Sequence, residues 1–125
     1  MLNYNSPIME SRDYSVRYHS RASHRHHLFE ITTKGNLYLI DIGPGKATSS
    51  GASCKVKLDG KILPDQKLSY VWRESAFAAS FKGYFVLPDG TSIDLHIRFT
   101  MRYGIKLVSF SFSDGSIINP TVPKK

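Results

Sequence analysis

From Leu28 onward, apolar side chains recur at every second position in short runs broken by Gly, Pro, Asn and Asp. That period belongs to half-buried strands joined by turns, not to helices. LFEITTK (28–34) and NLYLIDIG (36–43) flank Gly35-Asn36 and predict a hairpin. The following GPGKATSSGAS (43–53) has the small, polar composition of a loop. In CKVKL, Cys54, Val56 and Leu58 fall on one side and Lys55 and Lys57 on the other. Asp59-Gly60 predicts a tight turn into KIL before Pro64-Asp65 interrupts, and a further strand is centred on Leu68, Tyr70 and Trp72. SAFAA (75–79) fits either a turn of helix or an irregular crossing. The clearest hairpin joins 81–87 to 92–101 across Pro88-Asp89-Gly90, whose backbone preferences suit a turn. A last strand sets Val108, Phe110 and Phe112 against Ser109, Ser111 and Ser113.

These segments predict an all-β protein, a compact antiparallel β-sandwich of about seven or eight strands, with a small closed β-barrel as the alternative. The expected core is Leu37, Leu39, Val56, Leu58, Tyr70, Trp72, Phe81, Phe85, Ile93, Leu95, Ile97, Val108, Phe110 and Phe112. A chain of 125 residues fits one domain, placed at 28–119, and shows no internal repeat.

The first 27 residues read differently. They are polar and Ser-rich, with apolar positions too sparse for a sustained core face, and hold His19, His24, His26 and His27 of the chain's five histidines. The expectation is a flexible, basic, His-rich arm over 1–27, with a proline-broken basic tail over 120–125. Seventeen Lys and Arg against ten Asp and Glu give a net charge of +7, but the arm supplies only +2 of it. The remainder lies on the β domain, so the bias toward anionic partners is distributed.

Chemistry narrows the reading further. A single cysteine excludes an intramolecular disulfide and a multi-cysteine metal site. Gly43-Pro44-Gly45-Lys46 lacks the spacing of a phosphate loop, and neither a serine nucleophile elbow nor an H-E-x-x-H motif is present. Cys54 falls on the apolar side of its strand, as a buried structural thiol would. No apolar run reaches the length of a membrane-spanning helix, and no basic-then-apolar leader opens the chain, which predicts a cytoplasmic or non-classically exported protein. No cofactor is expected. A non-enzymatic binding protein is the leading reading, and a small hydrolase with a non-local active site has the least support.

Three groups of residues are candidates for contact. His24, His26 and His27 are metal-ligating types, though their spacing enforces no closed site, and their protonation would make the arm more cationic in mild acid. Arg12, Arg17, Arg21 and Arg25, interleaved with Tyr14 and Tyr18, together with Lys55 and Lys57 on one strand face, are the candidates for polyanion contact, nucleic acid included. Arg98 and Arg102 extend that basic set, and His96 lies opposite Leu95 and Ile97 on its strand. An exposed β edge would offer a route to a protein partner or a homo-oligomer.

The third group comes with a family resemblance over about residues 59–104. Gly60-Lys61-Ile62, Pro64-Asp65, Lys67-Leu68, Arg73, Ser75, Ser80, Gly83, Phe85 and Asp89-Gly90 resemble the aegerolysin part of the actinoporin-like β-sandwich group. Where that family has a Trp-Asp-Cys-Pro-Trp-Gly-like element, this chain has Phe99-Thr100-Met101-Arg102-Tyr103-Gly104, which keeps two aromatics and the glycine. The resemblance implies a β-sandwich that recognises lipid headgroups or glycans without catalysis, in some relatives beside a pore-forming partner. It makes Trp72, Arg73, Phe99, Arg102 and Tyr103 the candidate ligand contacts, since Trp and Tyr suit a wet-to-apolar boundary and Arg pairs with phosphate.

Overall fold

The computed structural model describes residues 9–10, 13–21, 26–44, 54–75, 78–100 and 104–123. Among them there is no helix, and eleven strands form two antiparallel sheets. The first sheet runs in chain order through β1 (Met9–Glu10), β2 (Tyr14–Arg21), β3 (His27–Thr33), β4 (Asn36–Pro44), β5 (Cys54–Leu58) and β6 (Lys61–Ile62). The second holds β7 (Gln66–Ser75), β8 (Ala78–Val86), β9 (Ser92–Thr100), β10 (Gly104–Phe112) and β11 (Ile117–Ile118), again in chain order. Eight of these strands have five residues or more, and β1, β6 and β11 are two-residue additions at sheet margins. The sheets remain separate, so the architecture is sandwich-like and not a closed barrel.

Turn chemistry sets the hairpins. Lys34-Gly35 and Asp59-Gly60 both have positive φ at each residue, 50° and 79° in the first and 54° and 79° in the second. Two such residues in succession give the turn that matches the right-handed twist of the flanking strands. The first turn sits one residue earlier than Gly35-Asn36, because Thr33 pairs with Asn36 across it.

The two inner faces meet in one apolar cluster. Val16, Phe29, Ile31, Ile40, Ile42 and Val56 come from the first sheet, and Phe85, Ile93, Leu95, Ile97 and Phe110 from the second. Each fully buried side chain of this size contributes about 1.5–3 kcal/mol relative to exposure. Phe29 meets Phe110 edge-on at 5.3 Å between ring centroids, and Tyr14 stacks on Phe112 at 4.1 Å. Gln66 at the start of β7 ties the opposite margin: its amide exchanges hydrogen bonds with the backbone N–H and C=O of Val56, at 2.9 and 2.7 Å, and donates to the carbonyl of Leu63 at 2.8 Å.

Two expectations are corrected. Leu37 and Leu39 are 66% and 40% exposed, while Ile40 and Ile42 of the same strand are fully buried. β4 is apolar on both faces, and register decides: Ile40 pairs with Phe29, both facing inward. Facing Leu39 inward would also bury the Asp41 carboxylate, at a large desolvation cost. The second correction concerns the arm. Tyr14–Arg21 is a full strand paired with β3, Val16 and Tyr18 are core residues, and His27 opens β3 with no exposed surface. Tyr14, Val16 and Tyr18 alternate with Ser15, Arg17 and His19, so amphipathic tyrosines supply the inward face of a strand that looks polar by composition.

Candidate functional site

The outer face of the second sheet is built by the strict alternation of β9. Ile93, Leu95, Ile97 and Phe99 are buried, and Asp94, His96 and Arg98 take the outward positions between them. Antiparallel register places partners beside these residues on both sides. His96 lies between Lys82 of β8 and Ser109 of β10, and Arg98 lies between Ser80 and Leu107. A bulge between Ile105 and Leu107 brings Leu107 to this outer face while Ile105 stays in the core.

The result is an open groove of about 280 Å³ lined by Ser80, His96, Arg98, Leu107, Val108, Ser109 and Asn119. No carboxylate is among the described lining residues. Arg98 offers a planar fork of N–H donors, His96 and two hydroxyls add further polar groups at strand positions, and the Asn119 amide adds one from beyond β11. Leu107, 62% exposed, provides an apolar side. Chemically the groove suits an oxyanion joined to an apolar or sugar portion.

The residues singled out from sequence distribute as follows. Trp72 and Arg73 lie in β7, Trp72 in backbone register with Ser80 at the groove and Arg73 with Ala79. Phe99 is 7% exposed and packs edge-on against Phe81 at 5.6 Å, so it is a core residue and not a surface contact. Arg102 and Tyr103 lie outside the described residues. His96 and Arg98 therefore take over as the polar centre, and the signal for them was their shared period-two position on β9.

The polyanion candidates do not converge. Arg17 donates through Nε to Glu30 Oε1 at 3.1 Å and forms an ion pair with it. Lys57 sits opposite Asp41 and Lys55 opposite Gly43, both on the outer side of the first sheet. Arg21 is in backbone register with His27, and Arg12 and Arg25 lie outside the described residues.

The histidines are also separated. His26 and His27 are consecutive in extended chain and fall on opposite sides. Outside, His26 Nδ1 lies 3.2 Å from Asp41 Oδ1. Inside, His27 holds Tyr18 Oη at Nδ1 and the Ile105 N–H at Nε2, both at 3.1 Å. With both nitrogens engaged, His27 has no lone pair for a metal, which corrects its place among the candidate ligands. His24 lies outside the described residues, and among those described no group of three His, Cys, Asp or Glu side chains could hold a metal ion. Cys54 is buried and its Sγ donates to the Gly43 carbonyl at 3.2 Å. Burial pushes its thiol well above the ordinary range, with the Asp41 charge adding to the effect, so the reactive thiolate is disfavoured.

No helix among the described residues is long and apolar enough to cross a membrane. Comparison with protein-family models, with curated proteins and with solved structures finds no match to this chain.

Proposed function

We propose that the protein is a non-enzymatic binding protein that recognises an anionic or membrane-associated ligand, a lipid headgroup or a glycan, through the outer face of its second sheet. The observation that carries this reading is the groove in which Arg98 and His96 stand beside Ser80, Ser109 and Asn119 with no carboxylate among the described lining residues. An anion entering it meets a guanidinium and several hydrogen-bond donors. The rigid β9–β10 ladder holds these groups at fixed spacing, which lowers the entropy cost of binding. The aegerolysin-like residues between Gly60 and Gly90 agree with this reading, since Ser80 of β8 is one of them and lines the groove.

A panel of headgroup phosphates, sulfated glycans and neutral glycans, assayed at low and physiological salt, tests it. The expected result is selective binding of anionic members, weakened by salt and by Arg98→Ala with the fold intact. Uniform non-binding, or equal binding by the Arg98→Ala variant, overturns it.

One observation favours assembly as a second reading. β7 is ten residues long and, among the described strands, has only β8 as its sheet neighbour. A long edge of this kind can add a strand from a partner or from a second copy. Light scattering that finds a monomer across a wide concentration range counts against the second-copy form.

A further inference from the structure

Strict alternation fails once on β10. Ile105 and Val108 both face the core, although their odd spacing in a regular strand would put them on opposite sides. One extra residue must be absorbed between them, and the register shift between Ile105 and Leu107 is where it goes. Lys106 is left exposed there, and Leu107 turns to the outer face opposite Arg98.

A bulge takes backbone groups out of the ladder and leaves them in need of other partners. Here the partner comes from the other sheet. The Ile105 N–H donates across the core to Nε2 of His27 at 3.1 Å. On the far side of the ring, Nδ1 lies 3.1 Å from Tyr18 Oη. Tyr18 borders a second register shift, between Tyr18 and Ser20 on β2. His27 is therefore bonded to the residue that opens each of two bulges, one in each sheet, and its ring has no exposed surface.

The groove begins where the β10 bulge ends. Leu107 and Ser109 line it from β10, and their register partners Arg98 and His96 line it from β9. The position of the extra residue decides which side chain stands opposite Arg98. Moved one place along β10, the bulge would set Lys106 there, and a cation would replace the apolar wall.

From this we infer that His27 is a positioning residue for the groove: it anchors the β10 bulge from the opposite sheet and so keeps Leu107, not Lys106, against Arg98. The inference rests on the groove reading and adds to it a residue that touches no ligand. The apolar wall is what suits the groove to an oxyanion joined to an apolar portion. His27 thus acts on ligand preference as well as on stability, because without its acceptor nothing on the first sheet holds the Ile105 N–H in place.

The test is binding of phenyl phosphate and of inorganic phosphate to the full chain, with the Leu107 methyl and Arg98 amide signals followed by NMR. The parent chain should prefer phenyl phosphate by about tenfold, from partial burial of its ring against Leu107. His27→Phe, with circular dichroism confirming the fold, should abolish that preference and displace both signals before any ligand is added. His27→Gln, which keeps an acceptor for Ile105, should restore the preference and the signals. Ile31→Val, a core truncation further along β3, should leave both as in the parent. Where His27→Phe does not fold, Tyr18→Phe takes its place: it removes only the partner at Nδ1 and should displace the same signals by a smaller amount. Unmoved signals in the folded variant, an unchanged preference, or equal displacement by Ile31→Val overturns the inference. If neither phosphate binds the parent while the His27→Phe signals move, the groove reading fails and the His27 anchor stands. If the parent binds and His27→Phe changes nothing, the anchor fails and the groove reading stands.

Discussion

The backbone N–H of Ile105 donates to Nε2 of His27, 3.1 Å away, and so links β10 of one sheet to β3 of the other. The accepting nitrogen must be unprotonated, which places the ring proton on Nδ1, toward Tyr18 Oη at 3.1 Å. His27 is fully buried, so the neutral tautomer is part of the core. An imidazolium would set two N–H groups against each other and bury a charge.

Removing this acceptor therefore destabilises the fold. Urea unfolding of His27→Phe should show a loss of about 1–3 kcal/mol, from the Ile105 N–H left buried without its partner. His27→Gln, which keeps an acceptor, should lose less. Equal losses in the two variants would contradict the assignment.

Asp89 makes stability depend on pH at the acid end. Burial alone would raise its carboxyl, but hydrogen bonds from Thr33, Thr91 and Asn36 outweigh that and hold it at about 2. Thr33 and Asn36 belong to the β3–β4 hairpin and Asp89 to the β8–β9 turn, so the carboxylate joins the two sheets at one end. Because the folded value lies below the ordinary one, its contribution is present above about pH 4 and is lost as pH falls toward 2. Asp89→Asn should cost about 0.5–1.5 kcal/mol at neutral pH, toward the lower figure because the group is partly solvated, and should flatten the acid limb. An acid limb identical to that of the parent chain would contradict this.

Gly83 tests the close packing of β7 on β8. A Cβ there would lie 1.8 Å from the Lys67 carbonyl oxygen and 2.8 Å from the Leu68 Cα, both backbone atoms. Neither can swing aside, so Gly83→Ala must displace a strand, at about 2–4 kcal/mol. At Gly43 the added Cβ would meet the His26 ring, 2.3 Å from Nδ1, and that side chain can rotate away from Asp41. Gly43→Ala should therefore cost less. Comparable unfolding midpoints for the two variants would contradict this account.

Much of the fold is legible in the sequence because β9, and β10 beyond its bulge, alternate cleanly: Ile93, Leu95, Ile97, Phe110 and Phe112 all reach the core as their period predicts. β4 is less legible, since both its faces carry large aliphatics, and pairing with Phe29 together with the Asp41 carboxylate selects Ile40 over Leu39. β2 is concealed by composition, because tyrosine and histidine carry core-forming bodies under polar labels. The site is less legible still. His96 and Arg98 show their shared face locally, but Lys82, Ser80, Leu107 and Asn119 join them only through register with β8 and β10 and the turn beyond β11. That geometry arises from pairing between distant segments and leaves no local motif.

The most direct measurement is an NMR titration of the isotopically labelled chain with glycerol phosphate and a sulfated disaccharide, following the backbone amides. The account predicts saturable shifts centred on Ser80, His96, Arg98, Ser109 and Asn119, absent in an Arg98→Ala, His96→Ala double variant whose other amides are unmoved. Shifts centred on the first sheet, or none from either ligand, would contradict it.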